Sequence, residues 1–156
     1  MRVDYSAVLP EALSAMLGLE RVVHDSSLDP FTVELVKLRA SQINGCARCV
    51  EMHTKDARAL GEDQERLDLV AVWREAECFT ASERAALRWC EALTNLPANG
   101  APDDAYEEVA GHYEADELVA LTIAIAAING WNRLNVAFQS PTGGYVSPRK
   151  PLDRAG

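Results

Sequence analysis

One long apolar run near the C-terminal end constrains the fold of this chain more than any other feature. Residues 118–128 read LVALTIAIAAI and carry a single polar side chain, that of Thr122. A helix needs about 20 apolar residues to cross a bilayer, whereas this run has eleven. A helix that is apolar on every side must be covered on every side. We therefore expect it to run through the middle of a helical bundle or to be covered by a neighbouring subunit, which makes a homo-oligomer the expected assembly.

The rest of the chain also has the signatures of helices, and no alternating apolar and polar pattern is long enough to begin a sheet. Asp29 followed by Pro30 is typical of a helix start, and Gly45 and Gly61 are suited to end helices. We predict an all-α, single-domain bundle of about six to seven helices. The predicted helices cover residues 10–24, 30–44, 46–60, 62–77, 82–95, 103–112 and 115–138.

The length and composition fit one globular domain followed by a short tail. The chain has 156 residues, of which 48% are apolar and 25% charged, enough for a sizeable core. We assign residues 1–140 to the helical domain and residues 141–156 to a C-terminal tail. Because the tail is rich in proline and glycine, it should lack regular structure. We expect it to be disordered or to lie over a neighbouring molecule.

The charge and the first residues of the chain exclude several classes of function. The formal net charge is −9 and the basic residues are scattered, so nucleic acid is not an expected partner. Asp4, Pro10 and Glu11 interrupt the N-terminal residues, which do not resemble a signal peptide. We expect a cytoplasmic protein without a membrane partner. In that reducing compartment paired cysteines indicate catalysis or metal binding rather than a structural disulfide framework.

The chemistry of the chain is concentrated between Glu34 and His53. This segment contains Cys46 and Cys49 as a Cys-x-x-Cys pair, with His53 four residues after the second cysteine and Glu34 twelve residues before the first. On a helix, the two cysteines and the histidine are each about one turn apart and point to roughly the same side. One helix face then carries two thiols and a base. This arrangement suits a cycle in which one thiol is oxidised and the other captures it as a disulfide.

A Cys-x-x-Cys pair also occurs in zinc sites and in thioredoxin-like enzymes. A structural zinc site needs four ligands, and Cys46, Cys49 and His53 supply three at local spacing. A fourth would have to come from elsewhere in the fold, from Glu34, Cys78 or Cys90. The thioredoxin motif follows a strand in an α/β fold, and no strand is predicted here. We therefore expect neither a metal nor a cofactor, although metal binding stays open as the less favoured alternative.

The spacing of Glu34, the sequence Cys46-Ala-Arg-Cys49 and His53 is followed, at residues 127–138, by AINGWNRLNVAF. In a helical chain this pattern resembles the alkylhydroperoxidase D-like proteins of the carboxymuconolactone decarboxylase superfamily, over residues from about 31 to 138. The resemblance implies peroxide reduction, with Cys49 as the peroxidatic thiol and Cys46 as the thiol that resolves it. It implies that His53 and Glu34 form a proton relay through a bound water. It also implies trimers or assemblies of trimers.

Two features separate this sequence from parts of that superfamily. Some members have a histidine between the two cysteines, where this chain has Ala47 and Arg48. Arg48 either stabilises a thiolate by its charge or is a solvated side chain, and we favour the solvated side chain. The decarboxylase branch acts on a lactone acid and lacks the cysteine pair, so that reaction is not expected here.

The other candidate residues have structural interpretations. Glu34 taken alone would be a solvated helix residue, and only its spacing to the cysteines makes it a candidate. Cys90 is interpreted as a small core residue and Cys78 as a helix-end or loop residue without a chemical role. His24 and His112 have no paired ligands nearby in the sequence and are interpreted as structural or exposed. Trp131 is interpreted as a packing residue.

We predict that the chain is an oxidoreductase, a thiol-dependent peroxidase of the peroxiredoxin type. Its catalytic residues would be Cys49, Cys46, His53 and Glu34. A hydroperoxide would be the substrate, and an external dithiol or a protein reductant would restore the two thiols. Two alternatives remain open: a protein disulfide oxidoreductase that uses the same dithiol, and a metal-binding or purely structural helical oligomer. The expected assembly is a trimer or hexamer.

Overall fold

The computed structural model describes residues 1–152, and within them it contains eight α-helices, one short 3-10 turn and no strand. The all-α prediction is confirmed. None of the described helices has both the length and the apolar character that a membrane span requires. The helices are α1 (Tyr5–Val8), α2 (Pro10–His24), α3 (Pro30–Ile43), α4 (Ala47–Leu60), α5 (Gln64–Leu69), α6 (Ala81–Thr94), α7 (Asp103–Ala110) and α8 (Ala115–Phe138), and the 3-10 turn is Val70–Val72.

Several helix ends form as the sequence predicts. The carboxylate of Asp29 accepts a hydrogen bond from the N–H of Thr32 at 2.9 Å and caps α3. Gly61 ends α4 with a φ of 112°, a left-handed conformation that favours glycine. At the start of α6, Thr80 and Glu83 form a capping box, in which each side chain accepts a hydrogen bond from the backbone N–H of the other residue.

Helix α3 lies at the centre of the bundle, packed against α4, α6 and α8. Ten of its fourteen residues are buried, including the charged residues Glu34 and Lys37. Helix α8 is less enclosed than its apolar sequence predicts. Its inner face packs on α2, α3 and α6, but Val119 on its outer face is 58% exposed. Burial of α8 on every side therefore does not occur within a single chain.

The predicted helix over residues 62–77 is wrong in its second half, because α5 ends at Leu69 and the chain tightens into the 3-10 turn. Leu67, Val70 and Trp73 are spaced by three residues and are all buried, and a 3-10 turn brings such positions onto one face. Arg84 of α6 then donates hydrogen bonds of 2.8–2.9 Å to the backbone carbonyls of residues 73, 74 and 76. These bonds satisfy carbonyl groups that a longer helix would have paired internally.

The smaller differences lie at helix ends. Helix α4 begins at Ala47, one residue after the predicted start, because Cys46 is its N-terminal cap. Helix α7 ends at Ala110 instead of at residue 112. The single turn of α1 lies outside all of the predicted helices. Shifts of one or two residues are ordinary at helix ends, where the backbone is held by few hydrogen bonds.

Residues 141–152 form neither helix nor strand, and they lie along α4 of the same chain. The N–H of Gly143 donates to the Glu51 carboxylate at 2.8 Å, and the N–H of Leu152 donates to the carbonyl of Leu60 at 2.9 Å. These two bonds hold the segment on a helix of its own chain. Residues 153–156 of the predicted tail lie outside the described residues, and the domain boundary at residue 140 stays a prediction.

Candidate active site

The paired cysteines lie where α3 turns into α4. Gly45 adopts a left-handed φ of 65°, which lets the chain reverse direction between the two helices. The sulfur of Cys46 then caps α4 by accepting a hydrogen bond from the N–H of Cys49 at 3.3 Å. The two cysteines are joined as a disulfide, with their Cα atoms 5.3 Å apart. In the reduced protein, the positive end of the helix dipole would stabilise a thiolate in this first turn.

His53 and Glu34 are bonded to each other in the interior. The Nδ1 atom of His53 lies 2.8 Å from Oε2 of Glu34. An ionised carboxylate can only accept hydrogen bonds, so Nδ1 carries the proton and Nε2 is left as the basic atom of the ring. Glu34 is only 1% exposed. Glu34 is therefore not the solvated residue that its position taken alone would suggest, because α3 is the central helix of the bundle.

Positive groups surround the Glu34 carboxylate. Nη2 of Arg149 lies 3.3 Å from its Oε1 atom, and Lys37, which is paired with Glu20 of α2, lies one turn further along α3. Burial alone would raise the pKa of the Glu34 carboxyl. The charge and hydrogen bond of His53, together with the charges of Lys37 and Arg149, outweigh burial and hold this pKa below its ordinary value. Glu34 therefore stays ionised at neutral pH and keeps the imidazole oriented.

A cavity of about 340 Å³ lies beside Cys49 and His53. This volume is in the range of pockets that hold small organic molecules. One part of the wall is apolar and aromatic, and the other part carries several charged side chains. The lining residues are Tyr5, Leu17, Glu20, Glu34, Lys37, Arg48, Cys49, Met52, His53, Asp56, Ile128, Trp131, Asn135 and Arg149. The four predicted catalytic residues are thus placed together, with Cys46 next to this cavity through its disulfide partner.

A second, smaller recess of about 200 Å³ lies at the other cysteine. It is lined by Cys46 but not by Cys49, whereas the larger cavity is lined by Cys49 but not by Cys46. The turn residue Gly45 forms part of its wall, and so does Val136 of α8. The disulfide therefore lies between two separate openings, one at each sulfur-bearing residue.

Asn135 of α8 contacts Cys49 directly, and sequence reasoning missed it. Its side-chain amide donates to the Cys49 sulfur at 3.5 Å, and its carbonyl oxygen accepts a hydrogen bond from the Tyr5 hydroxyl at 3.2 Å. A signal for it was present in the sequence. Asn129, Asn132 and Asn135 recur at every third position of a helix that is otherwise largely apolar, which places the three amides on one side.

Arg48 is half-buried, so the prediction of a solvated side chain is wrong. Its guanidinium lies over the ring of Tyr145, 5.3 Å from the ring centre, and 3.6 Å from the Glu51 carboxylate. The cause is the C-terminal segment, which folds back over α4 and covers this side chain. Trp131 likewise does more than pack in the core, because it lines the cavity and its indole N–H donates to Glu20 at 3.0 Å.

The remaining sequence candidates lie away from the Cys49 cavity. Cys90 is a fully buried core residue, as predicted, and its thiol donates a hydrogen bond to the carbonyl of Val36 at 3.1 Å. Burial raises the pKa of the Cys90 thiol to about 12. Cys78, His24 and His112 are exposed, so none of them takes part in this site.

Glu34, His53 and Asp56 are also the kind of residues that could hold a metal ion, since one ligand atom from each lies within 4.8 Å of the others. However, the carboxylates already have other partners. Arg149 contacts Glu34, and the Tyr145 hydroxyl donates to both oxygens of Asp56 at 2.8 and 3.0 Å. A guanidinium beside Glu34 would repel a second cation, so the arrangement suits proton transfer better than metal binding.

The sequence profile of the carboxymuconolactone decarboxylase family matches residues 10–92, which run from the start of α2 into α6. The chain belongs to this family. The resemblance drawn from Glu34, the two cysteines and His53 is therefore confirmed at the level of the family.

This carboxymuconolactone decarboxylase family member has similar proteins among both sequences and solved structures. YdfG of Bacillus subtilis, described as an uncharacterized protein, is 40% identical over 136 residues, which cover 87% of this chain and 92% of YdfG. A crystal structure from Agrobacterium tumefaciens is 44% identical with a TM-score of 0.87, over 92% of this chain and 99% of that one. That protein is described as being of unknown function and a suggested antioxidant defence protein AhpD.

A solved structure of lower sequence identity is similar to this chain in fold. The debrominase Bmp8 superposes with a TM-score of 0.74 over 86% of this chain and 73% of its own, at 19% identity. The same helical scaffold thus occurs in proteins of different sequence, while the chemistry depends on the side chains that each protein places on it.

Proposed function

We propose that this family member is a thiol-dependent peroxidase that reduces hydroperoxides through a cycle of the Cys46–Cys49 dithiol. One observation carries the proposal: a disulfide-bonded pair of cysteines lies beside a partly open cavity, which is lined by Cys49 and by a histidine held by a buried, ionised glutamate. Nucleophile, base and orienting carboxylate form the arrangement that covalent catalysis requires. The similarity to the suggested antioxidant defence protein of Agrobacterium tumefaciens supports the same reaction class.

In the first half of the cycle, Nε2 of His53 accepts the proton of the Cys49 thiol. The Cys49 thiolate then attacks the terminal oxygen of the hydroperoxide, so that an S–O bond forms as the O–O bond breaks. Cys49 becomes a sulfenic acid, and the alcohol leaves with the proton that His53 had taken. Two electrons pass from sulfur to the peroxide.

In the second half, the Cys46 thiol attacks the sulfenic sulfur of Cys49 and releases water. The product is the Cys46–Cys49 disulfide, the state present in the structure. An external dithiol or protein reductant then returns two electrons by thiol–disulfide exchange. We assign its attack to Cys46, because the smaller recess opens at this residue and because Cys49, at the helix N-terminus, is the better leaving thiolate.

The cavity supports an organic hydroperoxide as the substrate. Its volume of about 340 Å³ exceeds what hydrogen peroxide needs, and Met52, Ile128 and Trp131 supply apolar wall for an alkyl or aromatic group. We further propose a cytoplasmic location, where reductants keep such a dithiol working. A homo-oligomer, a trimer or hexamer, is proposed because a single chain leaves Val119 of the apolar helix α8 exposed.

The proposal is tested by following consumption of an organic hydroperoxide, such as cumene hydroperoxide, with a dithiol as the electron donor. Cys49→Ser should lower the rate by about 10³-fold or more, because the nucleophile itself is removed. Cys78→Ser is the matched control, since this exposed cysteine lies outside the site, and it should keep the rate of the unaltered protein. An unchanged rate in Cys49→Ser would show that another group carries the reaction.

A protein disulfide oxidoreductase remains a second candidate, because the same disulfide can exchange with a thiol of another protein. The two functions are separated by comparing the second-order rate constants for cumene hydroperoxide and for a disulfide-bonded protein substrate. Faster reaction with the protein disulfide would replace the peroxidase assignment. One metal ion bound per chain and lost in Cys46→Ala would replace both.

A further inference from the structure

The C-terminal segment, comprising residues 143–152, lies against α4 without forming a helix or a strand. Pro148 disfavours a helical backbone at the residue before it. The side chains of Tyr145, Ser147 and Arg149 are half-buried, while those between them are exposed. Alternation with a period of two is the pattern of an extended chain with one face against a surface. The segment therefore presents a defined inner face to α4 and the cavity.

Both long side chains of that inner face end on buried carboxylates. The Tyr145 hydroxyl donates to Asp56, and Nη2 of Arg149 lies 3.3 Å from Oε1 of Glu34. The main chain of Tyr145 is also held, since its carbonyl accepts a hydrogen bond from Lys55 at 2.9 Å. Together with the bonds of residues 143 and 152 to α4, these contacts fix the segment at both ends and in the middle.

The contact between Arg149 and Glu34 has an electrostatic consequence for His53. A buried carboxylate is costly unless positive charge or hydrogen bonds compensate it. Glu34 has two partners that can supply such compensation at its oxygen atoms, the guanidinium of Arg149 at one and the imidazole of His53 at the other. If Arg149 supplies positive charge, His53 need not carry a second proton, at Nε2, to stabilise Glu34. The imidazole then stays free to accept the proton of Cys49.

We infer that residues 143–152 are part of the active site and that Arg149 is a positioning residue, which adds positive charge beside Glu34 so that this carboxylate stays ionised and His53 remains the proton acceptor for Cys49. This inference rests on the proposed peroxidase function. Arg149 also lines a second cavity of about 340 Å³ between the segment, α2 and α3, as well as the Cys49 cavity. Its side chain therefore stands in the wall between the two cavities.

Other charged and titratable groups face Glu34 and His53, and they must be left unchanged in any test. Lys37 lies on α3 beside Glu34, and it is neutralised by Glu20 of α2. Asp56 and Arg48 of α4 line the cavity, and Tyr145 of the segment is bonded to Asp56. Arg149 is the member of this set that contacts Glu34 from outside the helical bundle. A substitution at Arg149 therefore changes one charge and leaves the helices intact.

The experiment measures alkylation of Cys49 by iodoacetamide in the fully reduced protein as a function of pH, resolved by peptide mass spectrometry. In Arg149→Gln, loss of the positive charge should make Cys49 and His53 release a proton less readily. The pH at which Cys49 becomes reactive should rise by about 0.5 to 1 unit, since Arg149 is partly solvated. Arg149→Lys keeps the positive charge, so its curve should lie close to that of the unaltered protein. Lys150→Gln removes an exposed charge from the same segment and should leave the curve in place.

Two results would overturn the inference. One is an unchanged alkylation curve in Arg149→Gln, with the helix content of the variant retained by circular dichroism. The other is an equal shift in Lys150→Gln, which would assign the effect to net charge. Because alkylation involves no peroxide, the outcome is independent of the proposed function. A shift in Arg149→Gln would support the role of Arg149 even if the unaltered protein failed to consume hydroperoxide.

Discussion

Cys49 and Cys90 are buried to almost the same degree, 2% and 0% exposed. However, the sulfur of Cys90 is a hydrogen-bond donor and that of Cys49 is an acceptor. The Cys90 thiol donates its hydrogen to the carbonyl of Val36 at 3.1 Å, an interaction that requires the thiol proton. The Cys49 sulfur accepts a hydrogen bond from the amide of Asn135 at 3.5 Å, an interaction that becomes stronger when the sulfur is an anion. The direction of the hydrogen bond, and not the degree of burial, distinguishes the two sites.

At both Cys90 and Cys49, the surroundings affect ionisation of the thiol in the same direction as its hydrogen bond does. Cys90 lies in the core between α3 and α6, and burial raises the pKa of its thiol to about 12. Cys49 lies in the first turn of α4, beside a cavity that contains His53. Desolvation disfavours a charged sulfur at both positions, but only the second has a helix N-terminus and a base to offset it. A buried cysteine is thus inert or reactive according to the dipoles that face it.

The largest effect among variants of the groups facing Cys49 is expected for His53→Gln. This change removes the proton acceptor but keeps a side chain that can bond to Glu34. The rate of peroxide consumption should fall by about 100-fold or more, the usual contribution of a general base. The matched control is His24→Gln, which alters an exposed histidine. Equal rates for the two variants would mean that Cys49 ionises without help from the imidazole.

A smaller effect is expected for Asn135→Ala, which removes the amide that donates to the Cys49 sulfur. Alkylation of reduced Cys49 near pH 7 should slow by about 3- to 10-fold, because one hydrogen bond to a charged group is lost. Asn129→Ala removes an amide of the same helix that has no contact with sulfur, since its partners are Asn44, Thr94, Arg133 and the carbonyl of Ile125. If Asn129→Ala slows alkylation equally, the direct contact with sulfur is not the cause.

The smallest effect concerns stability at Cys90. Cys90→Ala should lower the free energy of unfolding by about 1 kcal/mol at pH 7, because a small cavity replaces the sulfur, and should leave peroxide consumption unchanged. The pKa of this thiol is about 12 in the folded protein against an ordinary 9.0, so its stabilising contribution is complete below pH 9.0 and declines as the pH rises from there.

Urea unfolding curves of the unaltered protein and of Cys90→Ala at pH 7, 9 and 10 measure the difference in their free energies of unfolding. It should shrink above pH 9, whereas the difference between the unaltered protein and Cys78→Ala should stay near zero throughout, since Cys78 is exposed. A constant difference for Cys90→Ala across this range would show that Cys90 can ionise within the fold, contrary to the contrast with Cys49.

The parts of the fold and site that depend on neighbouring residues could be predicted from the sequence. Asp29 and Gly61 fix helix ends through their own side chain or backbone. Cys49 and His53 lie on one side of α4 because a spacing of four residues does so in any helix, and Cys46 precedes the helix as its cap. The 3-10 turn after α5 escaped prediction because it depends on a residue of another helix. Arg84 of α6 binds the carbonyl groups that follow the turn.

The parts that depend on long-range packing could not be predicted in this way. Arg149 is separated from Glu34 by 115 residues, and Asn135 from Cys49 by 86. Nothing in the local sequence around Glu34 shows that α3 becomes the central helix, because its charged residues are spread among apolar ones. Its buried charges are stable only through partners from α2, α4 and the C-terminal segment, including Glu20 for Lys37.

The central claim is that Cys49, alone among the four cysteines, attacks a hydroperoxide. It is tested most directly by trapping the sulfenic acid in Cys46→Ser, which lacks the resolving thiol. The reduced variant is treated with one equivalent of cumene hydroperoxide in the presence of dimedone, and each cysteine peptide is examined by mass spectrometry. We expect the dimedone adduct on Cys49, with none on Cys90. An adduct on Cys78 instead, or peroxide consumed without any adduct on Cys49, would contradict the assignment.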